Sequence, residues 1–332
     1  MKTATGLAKL SLVAMSVLYS TTTLAALAEQ QGFSGEIAVI AGYAQQTSNL
    51  NSEGEKVKTG DLNSQSDSES SGLIAPLGNV QYTFGEALDK QVFVGTSSDD
   101  VAVGDIGFEI GYSQGFDSGM VMSVSYLPSV MSGETWQDPY LLDTEKKATD
   151  VSGNAVRFQI EAIAGSNFSA ELAYGTTKVD EEQSGNTLTA SDQKLLDRNG
   201  NTVYLKSAYQ YAINQTNILI PSVTYISHST DGEAMSFDSY GADLTYFKVI
   251  GKQSIALSVA YSHSAYDALN PVFNETREDN AYSAFLAYER GLGFGLDSWS
   301  FISLAGYSQS VSNIEFYDEE GFIASVGIKY NF

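Results

Sequence analysis

A transmembrane antiparallel β-barrel of about fourteen strands, with twelve as the fallback, is the fold this sequence predicts. Three observations carry it. Apolar residues recur at every second position along most of the chain, the connections between these runs are short and long in turn, and helical spacing is almost absent. The final twelve residues, "GFIASVGIKYNF", give the pattern in its strictest form. Phe322, Ala324, Val326, Ile328, Tyr330 and Phe332 share one parity, while Gly321, Ile323, Ser325, Gly327, Lys329 and Asn331 share the other.

At the other end, Lys2 and Lys9 precede the apolar stretch "LSLVAMSVLY", and "ALA" at 26–28 is followed by Glu29. This is the layout of a secretory signal peptide over 1–28, cleaved on export, with 29–332 as a single barrel domain. The apolar stretch is too short for a spanning helix, which needs about 20 residues. An exported chain without such a helix reaches a membrane through strands.

The strands follow in pairs. In "GDIGFEIGYSQGF", Ile106, Phe108, Ile110 and Tyr112 alternate with Asp105, Gly107, Glu109 and Gly111, and "DSG" turns the chain into "MVMSVSY". "NAVRFQIEAIAG" and "FSAELAYGTTKV" meet across Ser166 and Asn167, with Val156, Phe158, Ile160 and then Phe168, Leu172, Tyr174 as apolar sets. "TVYLKSAYQYA" pairs with "NILIPSVTYIS", and "YGADLTYFKVI" with "SIALSVAYSHS" across "GKQ". Between these hairpins the connections at 46–70, 129–150, 180–201 and 267–279 are long and polar. Such alternation is what an up-and-down barrel requires, with tight turns at one end, loops at the other and both termini on the turn side. The first strand is expected near Glu36, and the strands through "NVQYTF" and "QVFVG" are the least regular. Pro76 and Pro221 fall in predicted strands, where proline removes a ladder donor, so a bulge or local edge is expected there.

A soluble β-sandwich also alternates. Many runs here reach ten residues, however, the length of a tilted transmembrane strand, and the minor parity is rich in Gly, Ala, Ser and Thr, which suits a wet or crowded lumen. Tyr43, Tyr112, Tyr126, Tyr174, Tyr261 and Tyr288 fall near strand ends, where their amphipathic rings suit a membrane interface. A net charge of −23, from 40 acidic and 17 basic residues, removes nucleic acid as a partner. The chain has no cysteine, hence no disulfide and no thiolate metal site.

The ending resembles the C-terminal strand of Gram-negative outer-membrane β-barrel proteins, whose alternating apolar residues finish in a terminal Phe. That resemblance implies an integral outer-membrane location among lipids and lipopolysaccharide. It also implies that Ala324, Val326, Ile328, Tyr330 and Phe332 form the signal read by the outer-membrane assembly machinery. "FSGEIAVIAGY" and "SGETWQDPY" are similar to a family of barrels from marine and enteric Gram-negatives that is known only as uncharacterised. This second likeness supplies location and fold and transfers no catalytic or binding residue.

Catalysis has few candidates. His228 and His263 are each followed directly by Ser, and neighbours on a strand point to opposite faces. The outer-membrane phospholipase and lipid A deacylase families carry His-x-Ser; here the same-face pairs are His228 with Thr230 and His263 with Ala265. The Asp-x-His pair of omptin proteases is absent as well, so no enzyme and no cofactor are expected. "DRNGN" at 197–201 opens like a calcium loop, but its sixth and twelfth positions are Thr202 and Ala208, and a turn between strands is the better reading. No metal site is expected.

With the apolar parity outward, the lumen receives Glu36, Asp105, Glu109, Arg157, Gln159, Glu161, Glu171, Lys206, Gln210, Asp243 and Glu289. Acids prevail, so the field favours cations or neutral solutes; the same groups also suit bracing across strands. The loop "SVMSGETWQDPYLL" is less polar than the first, 46–70, and Trp136 and Tyr140 are its candidates for a constriction. The expected function is a passive, porin-like, monomeric diffusion channel for small neutral or cationic solutes, sugars included. The alternative is a non-conducting structural or adhesive barrel with acidic loops, and a lipid-modifying enzyme is a distant third.

Overall fold

An alternating strand has one face for lipid and one for the interior, and only a closed sheet leaves no backbone group unpaired in hydrocarbon. The computed structural model describes residues 26–96, 100–101, 107–128, 133–293 and 295–332, and Asp105 and most of the predicted signal peptide lie outside them. Sixteen antiparallel strand segments close on themselves. They are β1 (Gly32–Thr47), β2 (Ser68–Phe84), β3 (Lys90–Thr96), β4 (Phe108–Gly115), β5 (Val121–Pro128), β6 (Gly133–Trp136), β7 (Ala148–Glu161) and β8 (Phe168–Val179). The second half comprises β9 (Gly200–Tyr209), β10 (Tyr211–Asn214), β11 (Asn217–Thr230), β12 (Phe237–Ile250), β13 (Gln253–Asn270), β14 (Glu275–Gly293), β15 (Leu296–Ser312) and β16 (Glu319–Asn331). Because β6 continues β5 along β7, and β10 continues β9 along β11, the segments make fourteen staves.

The terminal strand closes the barrel. β16 pairs with β1 from Glu36↔Asn331 to Thr47↔Glu320, and Gly35 and Phe332 exchange backbone hydrogen bonds of 3.1 and 3.0 Å. On the outside, Val39, Ile74, Ile110, Val156, Leu172, Val223, Leu257 and Val326 are all exposed to the surroundings. So are Tyr43, Tyr126, Tyr174 and Tyr261 near strand ends. An apolar band around the whole wall is stable only in lipid, and the protein is an integral outer-membrane β-barrel.

Several expected boundaries shift. β1 begins at Gly32 instead of Glu36, and the strand expected from Asp105 begins at Phe108. The 267–279 connection, read as a long loop, is almost all strand, because β13 runs to Asn270 and β14 resumes at Glu275. Polar residues there extend the ladder above the membrane, where water tolerates either face. The proline at 221 leaves β11 unbroken. The ladder from β9 ends at Ala208↔Ser222 and resumes in β10 at Tyr211↔Leu219, so the register is kept and pairing lapses where Pro221 has no N–H. Gln210, opposite the gap, donates its N–H to Asn167 on the other side at 2.9 Å. Pro76 sits on a local edge: β2 pairs with β3 only over Asn79–Phe84, so the upper part of β2 has no β3 partner.

Stave height is uneven. β13, β14 and β15 run 18, 19 and 17 residues, while β3, β4 and β5 run 7, 8 and 8. The tall staves carry the outer loops well above the bilayer, which needs about 9–11 residues per strand.

Candidate functional site: the lumen and its two constrictions

Inside, the wall has two unlike arcs. Across β14, β15, β1 and β2, Ala38, Ile40, Leu77, Ile302 and Leu304 are buried together, with Leu73, Ala75, Phe285 and Ala287 against them. On the opposite arc, from β4 to β12, inward positions are mostly charged or small and polar, with Phe247 on β12 an exception. Ser113 and Ser123 share a hydrogen bond of 2.8 Å, as do Thr245 and Ser258.

Arg157 on β7 centres the charged arc. Its guanidinium lies 2.8 Å from Glu109 on β4, 2.9 Å from Asp100 and 3.8 Å from Glu171 on β8. Gln159 donates to Glu171 at 3.3 Å, and Lys206 on β9 faces Asp243 on β12 at 3.6 Å. Glu161 lies at the turn-side end of β7. A third group closes the seam: Lys329 on β16 holds Glu36 on β1 at 3.0 Å and Glu289 on β14 at 2.7 Å. Of the expected lumen residues in the described chain, Glu109, Arg157, Lys206, Asp243 and Glu289 are thus joined in wall-bracing pairs, while Glu161 is exposed. Lys329 was not singled out from sequence, although its parity with Ser325 and Gly327 places it inward.

Asp100 and Val101 come from the connection between β3 and β4. Asp100 reaches Arg157, while Val101 packs on the apolar cluster of β1, β2 and β15. These adjacent residues therefore stand inside the barrel between the two arcs, on a connection to which sequence reading gave no role. Gly78 and Gly95, both at positive φ, leave no room for a Cβ where β2 and β3 part: one at Gly95 would meet the Gly78 carbonyl, and one at Gly78 the Glu36 carbonyl of β1.

Tyr140 lies in an apolar core among the outer connections, and Trp136 is buried on the same loop beside Lys146 and Arg198. Tyr140, Leu196, Ala234, Met235, Ile314, Phe316 and Tyr317 form a buried apolar core, with Leu50, Leu62, Leu188, Val272 and Phe273 packed on it. These residues come from six different outer connections spaced around the ring, so their shared core crosses the mouth as a cap. The hydroxyls of Tyr140 and Tyr317 are 2.6 Å apart, Asn270 donates to Tyr317 at 2.8 Å, and the Arg277 guanidinium lies 3.7 Å from the Tyr317 ring centre. Burial above all, then the facing phenol, holds Tyr140 well above its ordinary pKa; burial likewise raises Tyr317, against the opposing pull of Arg277. Arg198 clamps Glu182 at 2.6 Å and donates to the Trp136 carbonyl at 2.7 Å.

Lys146, buried 4.7 Å from the centre of the Trp136 ring, is pushed down to about 8. Burial is the main cause, with Lys58 aiding and Glu55 opposing. The folded pKa is depressed below the ordinary 10.5, so the unfolded loop binds the extra proton between these values. Cap stability should therefore rise as pH rises from about 8 towards 10.5. Limited proteolysis of the 137–147 loop is expected to slow from pH 8 to 9.5, and Lys146→Met to abolish that dependence.

The remaining motifs are structural. His228 is 2.8 Å from the Thr202 hydroxyl and His263 is 3.2 Å from Asn280, each a neighbour on the adjoining strand. "DRNGN" is a turn leading into β9: Asp197 accepts from the Asn199 amide at 2.9 Å, and Asn199 in turn accepts from Val179 N–H at 2.8 Å.

The family model described as protein of unknown function (DUF2860) matches residues 32–331. The chain belongs to this family. No curated protein matches it. Among solved structures, it is similar to the outer-membrane channel DcaP of Acinetobacter baumannii, at 10% identity and a TM-score of 0.42 over 91% of this chain and 98% of that one. OpdQ of Pseudomonas aeruginosa matches at 10% and 0.38, over 90% and 98%. OmpT of Vibrio cholerae matches at 8% and 0.40, over 90% and 98%. At these identities and scores, the likeness assigns this DUF2860 barrel neither a solute nor a gating mode.

Proposed function

We propose that this DUF2860 protein is a narrow, passive diffusion channel of the outer membrane for small neutral or cationic solutes, working as a monomer without covalent chemistry. The observation that carries this reading is the charge of the lumen. Among the described residues of the membrane-spanning wall, Glu36, Asp100, Glu109, Glu161, Glu171, Asp243 and Glu289 stand against Arg157, Lys206 and Lys329, so acids prevail there. A low-dielectric wall focuses this field and concentrates cations at the narrowing. Asp100 and Val101 limit solute width, and the cap limits entry.

Ala324, Val326, Ile328, Tyr330 and Phe332 face outward on the strand that closes the barrel, where an assembly machinery in the membrane can read them. Planar-bilayer recording of refolded protein is expected to give small, cation-preferring conductance. The double change Glu161→Gln and Asp243→Asn should shift the reversal potential towards zero. A folded barrel that does not conduct, or that prefers anions, overturns the reading. The packed apolar cap favours a second one, a closed barrel with a surface role, which non-conducting protein would support.

A further inference from the structure

Where the two kinds of wall meet, near the turn end, the lumen keeps a cavity of about 90 Å³. Its sides are apolar, from Ala38, Leu77, Val101, Phe247, Ile302 and Leu304. Its end is the ion triad of Glu36, Glu289 and Lys329, two carboxylates around one ammonium. A lumen serving only as a wet path has no use for a greasy wall, and a barrel filled with side chains would leave no space. The cavity is instead lined mainly by apolar side chains, with two carboxylates around one ammonium at one end.

We infer that this cavity is a binding station for a small amphipathic ammonium, a primary amine carrying a compact alkyl group. The alkyl group would lie on Ile302, Leu304 and Leu77, and the ammonium would donate to Glu289 beside Lys329. Removing the amine's charge leaves the triad's negative charge uncompensated, and removing its alkyl group leaves the apolar wall wet, so both parts contribute. This rests on the channel reading in that it names the class of solute the narrow lumen would select.

The test is isothermal titration of the full barrel in nanodiscs, with empty nanodiscs subtracted, using n-butylammonium, methylammonium, n-butanol and butyrate as probes. Saturable binding of n-butylammonium is expected, at least tenfold tighter than n-butanol or methylammonium, with no binding of butyrate. Glu289→Gln, which leaves the Lys329–Glu36 pair in place, should remove most of the preference over n-butanol. Leu304→Ser should weaken n-butylammonium several-fold while leaving the heat-modifiable mobility of the barrel unchanged. Equal affinity for n-butylammonium and n-butanol, equal affinity for n-butylammonium and methylammonium, or no saturable binding would each overturn the inference. A barrel that binds the amine but does not conduct sinks the channel and leaves the station. A barrel that conducts but does not bind sinks the station alone.

Discussion

Lys329→Met is expected to lower the stability of the barrel by about 3–5 kcal/mol, the usual consequence of removing one partner from a buried ionic group. The Lys329 side chain is 7% exposed, and those of Glu36 and Glu289 are 20% and 14% exposed. With the ammonium gone, two carboxylates would face each other beside an apolar wall, and one would have to take up a proton or draw in water. The position matters as much as the charge. β16 is the closing strand, and the triad ties it to β1 on one side and, past β15, to β14 on the other. Loss should therefore appear as a seam that opens early, with faster exchange of amides along β1 and β16 than along β7 and β8. Urea titration followed by heat-modifiable electrophoresis measures the total. The triple change Lys329→Met, Glu36→Gln and Glu289→Gln should recover most of the loss, because no buried charge is left unpaired. If Lys329→Met unfolds at the wild-type urea concentration, the triad contributes nothing to the stability of the seam.

That triad was within reach of sequence reading, since Glu36, Glu289 and Lys329 each follow from parity. What parity cannot supply is which staves lie side by side after closure, and so which charges meet. The outward face was legible throughout for a simple reason. Lipid accepts only apolar side chains, so Val156, Phe158, Leu172, Val223 and Val326 had to share one phase along their strands. The inner face is less constrained. In "IAVIAGY" and "WSFISLAGY" both parities are apolar, so Ile40, Ile302 and Leu304 look like lipid-facing residues until register turns them inward. The narrowing at Asp100 and Val101 was illegible for another reason. Their stretch, "TSSDDVAVGD", falls in the least regular part of the chain, between "QVFVG" and "GDIGF". The cap was hidden by distance. Tyr140 and Tyr317 share a hydrogen bond across 177 positions, and an isolated Leu196 or Ile314 inside a polar loop gives no period to read.

The cap supplies the second large effect. Phe316 is 0% exposed and packs its ring 5.3 Å from both Tyr140 and Phe273. Removing such a ring costs about 3–5 kcal/mol where the surroundings cannot collapse. Here the cost falls on a cap joined to the barrel by loops, so it should be met by local opening instead of global unfolding. Phe316→Ala is expected to leave the barrel's heat-modifiable mobility unchanged while the outer loops become sensitive to protease. The backbone bonds that Phe316 makes reinforce this. Its carbonyl accepts from Asn49 at 2.8 Å and its N–H donates to Asn63 at 3.1 Å, so the 48–67 loop should loosen with it. In a planar bilayer the same variant separates the two functional readings. If solutes pass between the loops of the cap, opening it should raise conductance several-fold and weaken cation preference less than conductance rises, because the acidic lumen below is untouched. If Phe316→Ala frees the loops and the barrel remains silent, Asp100, Val101 and the paired wall below form the true closure. The protein is then a sealed barrel whose function lies on its outer surface.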